Sequence, residues 1–212
     1  MNDMNERLAR AAANQQRAQE IIHQLHVYEA WQAVGARTEM VGSLRTGLLM
    51  KHLDIDLHIY TPTPLRVEES FAALARIAAR PGIRRVEFVN LLDAEDRCLE
   101  WHAHYEDHDG RLWQIDMIHM EEGSPWAGYF ERVADRIAAV LTPETREAIL
   151  QLKDETPDEE KIPGIALYRA VLEGGVRSRT ELKAWLQTHP AEGIVRWMPD
   201  PAALAPAKTN RS

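Results

Sequence analysis

Apolar and polar residues alternate strictly from Asp54 to Tyr60, with Ile55, Leu57 and Ile59 on one side and Asp54, Asp56, His58 and Tyr60 on the other. Side chains two apart on a strand share a face, so the segment predicts a strand with one apolar and one acidic face. Upstream the period lengthens. Asn5 to Val34 contains no Pro or Gly and reads as one helix, with Ile21, Leu25, Tyr28 and Trp31 at helical spacing to cover a sheet. Gly35 stops it, and Thr38 to Val41 is β-capable.

Downstream, Thr61-Pro62-Thr63-Pro64 breaks the chain, and Pro64 can open a helix capped by Thr63. Val67, Phe71, Leu74 and Ala78 form the core stripe of that helix, which ends near Pro81-Gly82, and Arg84 to Leu92 follows as a strand. Cys98 to Tyr105 and Leu112 to His119 read as a hairpin turning around Asp107-His108-Asp109-Gly110. Its parity carries a consequence. If Trp101, Ala103 and Tyr105 share a face with Trp113, Ile115 and Met117, the loop holds an odd number of residues, and His102 and His104 lie on the face of Asp116. A two-residue Asp109-Gly110 turn would put them on the opposite face.

From Ser124 the period is helical throughout. Ser124-Pro125 and Thr142-Pro143 mark helix starts near 125 and 143, and DETPDEE from Asp154 reads as a solvated linker. Pro163 to Glu173 is the next helix, closed by Gly174-Gly175, and Ser178 with Glu181 makes a capping box for the last, ending at Pro190. The expected organisation is α+β over residues 1–123, a small helical domain over 124–200, and a flexible Pro- and Ala-rich tail over 201–212.

Composition narrows the partners. A 212-residue chain with 45% hydrophobic and 27% charged residues can bury one sizeable core or one domain with a helical appendage. The net charge of −8 supplies no field for a nucleic-acid backbone, which disfavours RNA or DNA and favours a small-molecule or protein acceptor. Cys98 is the only cysteine, so no internal disulfide forms, and no signal segment or long apolar run is present. A cytoplasmic protein with no membrane partner is expected; the oligomeric state is left open.

The acidic face carries the candidate chemistry. Asp54 and Asp56 lie about 7 Å apart along one strand face and repel each other unless cations sit between them. Mg²⁺, which takes a few carboxylates together with phosphate oxygens and water, suits them best. Gly42-Ser43 offers the complementary half, since Gly lets backbone approach a ligand and helix-opening amides with a hydroxyl suit a phosphate. Asp116, inside the otherwise apolar Trp113 to Ile118, is costly to bury without ionic partners. Taken singly, each piece has a structural explanation: a turn, a solvated edge, a strand-end carboxylate. His102-x-His104 lacks further ligands at zinc spacing and reads as a polar sheet face or an acceptor-binding wall.

The order strand, Gly42-Ser43, short helix, then hydrophobic-Asp-hydrophobic-Asp-hydrophobic, with Asp54 eleven positions after Ser43, resembles the nucleotidyltransferase superfamily related to DNA polymerase β. The small bacterial minimal and antibiotic-modifying members are the nearest likeness. The resemblance spans about the first 120 residues, with its specific part between Val41 and Thr61; Leu53 and the preceding Lys51-His52 depart from the common pattern. It implies a mixed sheet flanked by helices. It also implies two Mg²⁺ ions on Asp54, Asp56 and Asp116, with Gly42 and Ser43 on the β- and γ-phosphates of a nucleoside triphosphate, expected to be ATP, helped by Arg45 or Lys51. The expected reaction moves a nucleoside monophosphate to a hydroxyl of a small-molecule or protein acceptor. In two-domain members a helical region closes the cleft, and Lys161, Tyr168 and Arg169 are the candidates for that role. The alternatives are an inactive nucleotide-binding or interaction protein of this fold and a phosphohydrolase using the same acidic face.

Overall fold

The computed structural model describes residues 3–191, 193 and 195–200; the tail expected to be flexible lies outside them. The elements are α1 (Asp3–Gln24), α2 (Val27–Gln32), β1 (Arg37–Met40), α3 (Gly42–Thr46), β2 (Asp54–Thr61), α4 (Val67–Ala78) and β3 (Ile83–Asn90). There follow β4 (Leu99–Glu106), β5 (Leu112–Glu121), α5 (Tyr129–Val140), α6 (Pro143–Glu155), α7 (Gly164–Leu172) and α8 (Arg179–Thr188). The five strands form one mixed sheet in the order β1-β2-β5-β4-β3, with only β2 and β5 parallel. The chain is α+β, as the alternation of periods implies.

One face of the sheet is the apolar set read from the sequence. Ile55, Leu57, Ile59, Trp101, Ala103, Trp113, Ile115 and Met117 join Ile21, Ile22, Trp31, Leu74 and Ile77 in one buried core. The hairpin loop between Glu106 and Leu112 has five residues, so His102 stands opposite Asp116 and His104 opposite Gln114. A second core gathers Ile149, Leu152, Leu167, Val171 and Leu182 of α6 to α8 around Val133 and Ile137 of α5. Ala11, Leu48 and Met50 complete it, so the N-terminal segment is packed into the helical layer.

Several elements differ from the pattern-based expectation. The first helix is two, because His26 takes a left-handed conformation (φ 52°) between α1 and α2. Pro64 does not open α4, which starts at Val67 after a cis Thr63–Pro64 bond. The buried stripe of α4 is Ser70, Ala73, Leu74 and Ile77, while Phe71 is 47% exposed and packs edge-on to Trp101. Ser124 caps a turn, accepting from the Trp126 amide at 3.2 Å, and α5 begins only at Tyr129. The two capping boxes, Thr142 with Thr145 and Ser178 with Glu181, start α6 and α8. The acidic run after Asp154 is tied down: Asp154 pairs with Arg10, Asp158 with Lys51, and Glu160 with Arg179 and Lys183.

Asp107 locks the hairpin to α1. Its carboxylate accepts from the amides of Asp109 and Arg111 and from Trp113 Nε1 at 2.9 to 3.0 Å, and Arg17 and Arg111 close over it. Among the described residues no helix is long and apolar enough to cross a membrane.

Candidate active site

The other face of the sheet divides along β2. Asp54 and Asp56 are half-buried and open into a cavity of about 530 Å³. His58 and Tyr60, two and four residues on, are buried beneath α5, His58 keeping an edge on the cavity wall and Tyr60 fully enclosed. Burial lowers the His58 pKa to about 4 and keeps its ring neutral. Tyr60 donates to Glu131 at 2.5 Å and accepts from the Gly128 amide at 3.1 Å. The polar face thus holds a cavity wall at one end and a closed polar core at the other.

Parallel pairing sets Asp56 opposite Asp116 and Asp54 opposite Gln114, so all three carboxylates border the cavity. Burial first, and then the charges of Asp116 and Asp54, push the Asp56 pKa up to about 7; the Ser43 amide, which donates to it, opposes this. Asp54 is raised by burial and by Asp116, against the nearby His52, Lys153 and Lys161. Gly42 has φ +59°, and a β-carbon there would lie 2.8 Å from Asp56 Cγ. Only glycine admits this contact between the α3 turn and the β2 carboxylate.

Asp116 is held by one neighbour on β4 and one on its own strand. His102 Nδ1 lies 2.6 Å from Oδ1, and Gln114 Nε2 donates to both oxygens at 2.9 and 3.1 Å. Among the described residues, no three His, Cys, Asp or Glu side chains already form a group that could hold a metal ion. His104 shares the face but turns to Glu87 at 2.8 Å and does not line the cavity.

The expected phosphate contacts are redistributed. The Ser43 amide goes to Asp56, while its hydroxyl sits 2.9 Å from both Lys153 Nζ and Tyr168 Oη. Lys153 also donates to the Leu48 carbonyl at 2.8 Å and to Tyr168 Oη at 3.3 Å. Arg45, in contrast, makes a bidentate pair with Asp135 of α5 at 2.7 and 2.9 Å and does not line the cavity. Lys51 pairs with Asp158 at 2.8 Å. It lines a neighbouring cavity of about 580 Å³ with Lys153 and Lys161, which shares His52, Asp54 and Gly164 with the first. Arg169 turns to Glu173 on its own helix. Lys153 is the cation that the sequence did not single out: it lies 110 positions from Ser43, in a helix with no local sign of which face meets the Ser43 turn.

The fold has solved counterparts, although no protein-family model and no curated protein sequence matches. The chain is similar to Cid1, a protein with RNA terminal uridylyl transferase activity, at TM-score 0.56 and 15% identity over 74% of this chain and 48% of Cid1. It is similar to a cytoplasmic RNA terminal U-transferase at TM-score 0.50 and 13% identity, over 73% of this chain and 44% of that one. A non-canonical poly(A) polymerase complex, GLD-2 with GLD-3, matches at TM-score 0.52 and 11% identity, over 96% and 68%. The chain spans about half the length of the two uridylyl transferases. With a mixed sheet that sets Gly42-Ser43 against Asp54, Asp56 and Asp116, and these structural neighbours, the chain has the nucleotidyltransferase fold.

Proposed function

We propose that this chain is a metal-dependent nucleotidyltransferase that moves a nucleoside monophosphate from a nucleoside triphosphate, ATP in the simplest case, to an acceptor hydroxyl. One observation carries the reading. A carboxylate pair short of cations, Asp54 with Asp56, shares one cavity with a Ser43 hydroxyl backed by the Lys153 ammonium. A metal-bound polyphosphate satisfies both halves at once.

The donor set fits Mg²⁺, since Asp54, Asp56 and Asp116 offer hard oxygens and Asp56 lacks a neighbouring cation sufficient to hold its pKa down. Bound there, two such ions would offset charge on the phosphates and lower the pKa of an acceptor hydroxyl. Asp116 would help to hold them, with His102 and Gln114 orienting its carboxylate. The Ser43 hydroxyl and Lys153 hold the outer phosphates, and Tyr168 fixes both. The acceptor oxygen attacks the α-phosphorus in line; the new O–P bond forms as the bond to the β-phosphate oxygen breaks, and pyrophosphate leaves with the electron pair. Asp116 receives the hydroxyl proton.

The acceptors we favour are a small molecule or a protein side chain, because a net charge of −8 opposes a polyanionic strand. RNA, the substrate named for Cid1, is the rival acceptor. The test supplies α-labelled ATP, with and without Mg²⁺, to the purified chain with small-molecule, protein and RNA pools. Mg²⁺-dependent transfer of label with equimolar pyrophosphate supports the reading; phosphate or pyrophosphate release with no labelled acceptor replaces it with hydrolysis.

A second reading has its own support. Because His102 and Gln114 already occupy Asp116, the fold could bind a nucleotide without transferring it. Tight binding of ATP with no turnover in every pool would establish that reading instead.

A further inference from the structure

Strand β3 is an edge of the sheet: among the described residues only β4 pairs with it. An edge of eight residues presents a row of unpaired amides and carbonyls, a template for another strand. Which residues present them follows from the ladder. The Leu91 amide donates to the Cys98 carbonyl at 3.0 Å, in the register that pairs Asn90 with Leu99. Bonded pairs alternate in an antiparallel ladder, so Glu87 and Val89 turn their backbone groups to β4, while Val86 and Phe88 turn theirs outward. The opposite edge, β1, has only four residues.

The side chains along this edge complement themselves. Arg85 and Glu87 stand on one face of the sheet, opposite His104 and His102 of β4, and Val86 and Phe88 stand on the core face. A two-fold axis perpendicular to the sheet keeps each face with itself, so the residue at the axis stands opposite its own copy. With Arg85 or Glu87 at the axis, like charges would face each other. With Phe88 there, Glu87 would face Val89, and Arg85 would face Leu91, beyond the strand. Val86 at the axis sets Arg85 against Glu87 of the second copy, twice, and lets the two Val86 residues exchange backbone hydrogen bonds. Both charged side chains are exposed, Arg85 at 66% and Glu87 at 38%. Apolar surface lies at the same place. Phe71 and Val89 are two of the three large exposed apolar side chains among the described residues. Phe71 of α4 packs on Phe88 at 4.8 Å and on Trp101 at 4.7 Å, so an aromatic patch reaches the edge on the core face.

We infer that β3 is a self-association edge, on which a second copy of this chain pairs antiparallel about an axis at Val86, giving a continuous sheet with five strands from each copy. The axis brings a second α4 alongside the first, over Phe71. The occupant is a copy of the chain because the charge pattern of the edge is its own complement. None of these residues lines the active-site cavity, so the inference stands apart from the transferase reading.

Sedimentation of the full chain over a concentration series is expected to show a monomer–dimer equilibrium. Arg85→Glu and Glu87→Arg each set like charges against each other twice and should raise the dimer dissociation constant about tenfold or more. An equimolar mixture of the two variants restores both opposite-charge pairs and should recover a heterodimer. Hydrogen exchange on the unaltered chain supplies a readout that depends on no variant: the Val86 and Phe88 amides should gain protection as the chain is concentrated, while those of Glu87 and Val89, bonded to β4, stay protected throughout. A chain that is monomeric at every concentration, a dimer untouched by either substitution, a mixture of folded variants that stays monomeric, or Val86 and Phe88 amides that exchange alike in monomer and dimer would overturn the edge. The same results are expected with and without Mg²⁺ and a non-hydrolysable ATP analogue, so failure of the transferase reading leaves the edge standing.

Discussion

Asp107 and Asp56 are both drawn away from water, and their surroundings treat them in opposite ways. At the hairpin turn, burial alone would raise Asp107, but Trp113, the Arg111 and Asp109 amides and the Arg111 charge outweigh it and hold the pKa near 2. At the mouth of β2, burial is joined by the charges of Asp116 and Asp54, and Asp56 rises to about 7. A carboxylate that the fold satisfies is part of its framework. One that the fold leaves unsatisfied, in a cavity and beside two others, is a candidate for a ligand that the fold lacks.

The largest expected effect lies on the satisfied side. Asp107→Asn removes the charge that Arg17 and Arg111 enclose and should destabilise the protein by about 3–5 kcal/mol, the usual cost of breaking a buried pair from one side. Urea unfolding at neutral pH measures it. A loss below 1 kcal/mol would mean that the network is ornamental and the contrast with Asp56 is empty.

Asp56→Asn should behave in the reverse sense. Label transfer from ATP is expected to fall by about 10²–10³-fold, on the scale of lost electrostatic stabilisation, while the metal-free protein unfolds at the same or a higher urea concentration. Relief of repulsion with Asp116 and Asp54 is the reason. Destabilisation as severe as that of Asp107→Asn would assign Asp56 to the framework instead.

The two carboxylates also divide the pH axis. Asp107 has a lowered pKa, so its stabilisation is complete above the ordinary carboxylate value of 3.8 and is lost as pH falls toward 2. For Asp56 the pKa is raised, so the metal-free fold keeps a proton that the unfolded chain releases, and stability falls as pH climbs from 3.8 to about 7. Mg²⁺ should reverse that loss at pH 7.5, by about 2.7 kcal/mol at a hundredfold excess over its dissociation constant, and should do little at pH 5, where protons compete. Thermal unfolding with and without Mg²⁺ decides the point; an equal gain in Asp56→Asn would place the ion elsewhere.

Much of this contrast could be read from the chain. The alternation from Asp54 to Tyr60 gave both faces of β2, and hairpin parity with an odd loop put His102 and His104 on the face of Asp116, because strand period and turn length are local properties; the structure's five-residue loop selects that register. What escaped was set by distant packing. The apolar period of Asn5 to Val34 continues through His26, so nothing local marks the bend between α1 and α2. The stripe of α4 keeps Leu74 but otherwise follows Ser70, Ala73 and Ile77, since Phe71 fits the helical spacing while Ser70 is buried where it bonds Trp101 and His119. Arg45 lies only two residues from Ser43, yet Asp135, 90 positions away, claims it. Tyr168 was singled out as a helical residue at the cleft, and it reaches Ser43; Arg169, next to it on α7, points at Glu173.

The smallest effect tests whether the same distinction holds for cations. Lys51 resembles Asp107 in having its charge met, by Asp158 at 2.8 Å. Lys153 resembles Asp56, since its hydrogen bonds go to the neutral oxygens of Ser43, Leu48 and Tyr168. Neutral acceptors satisfy the N–H groups of an ammonium but leave its charge uncompensated, and the carboxylates nearest in the field, Asp54 and Asp56, are the ones that bound metal would neutralise. A phosphate at Ser43 would then be the natural counter-ion. Lys153→Met keeps most of the stem and removes the charge; it should weaken binding of the ATP analogue about tenfold, one charged hydrogen bond's worth. Lys51→Met should weaken it by much less, because that lysine must first leave Asp158. If the two substitutions cost the same, the accounting of met and unmet charge fails for cations, and the Ser43 hydroxyl loses its claim to be the end of the cavity that faces the phosphates.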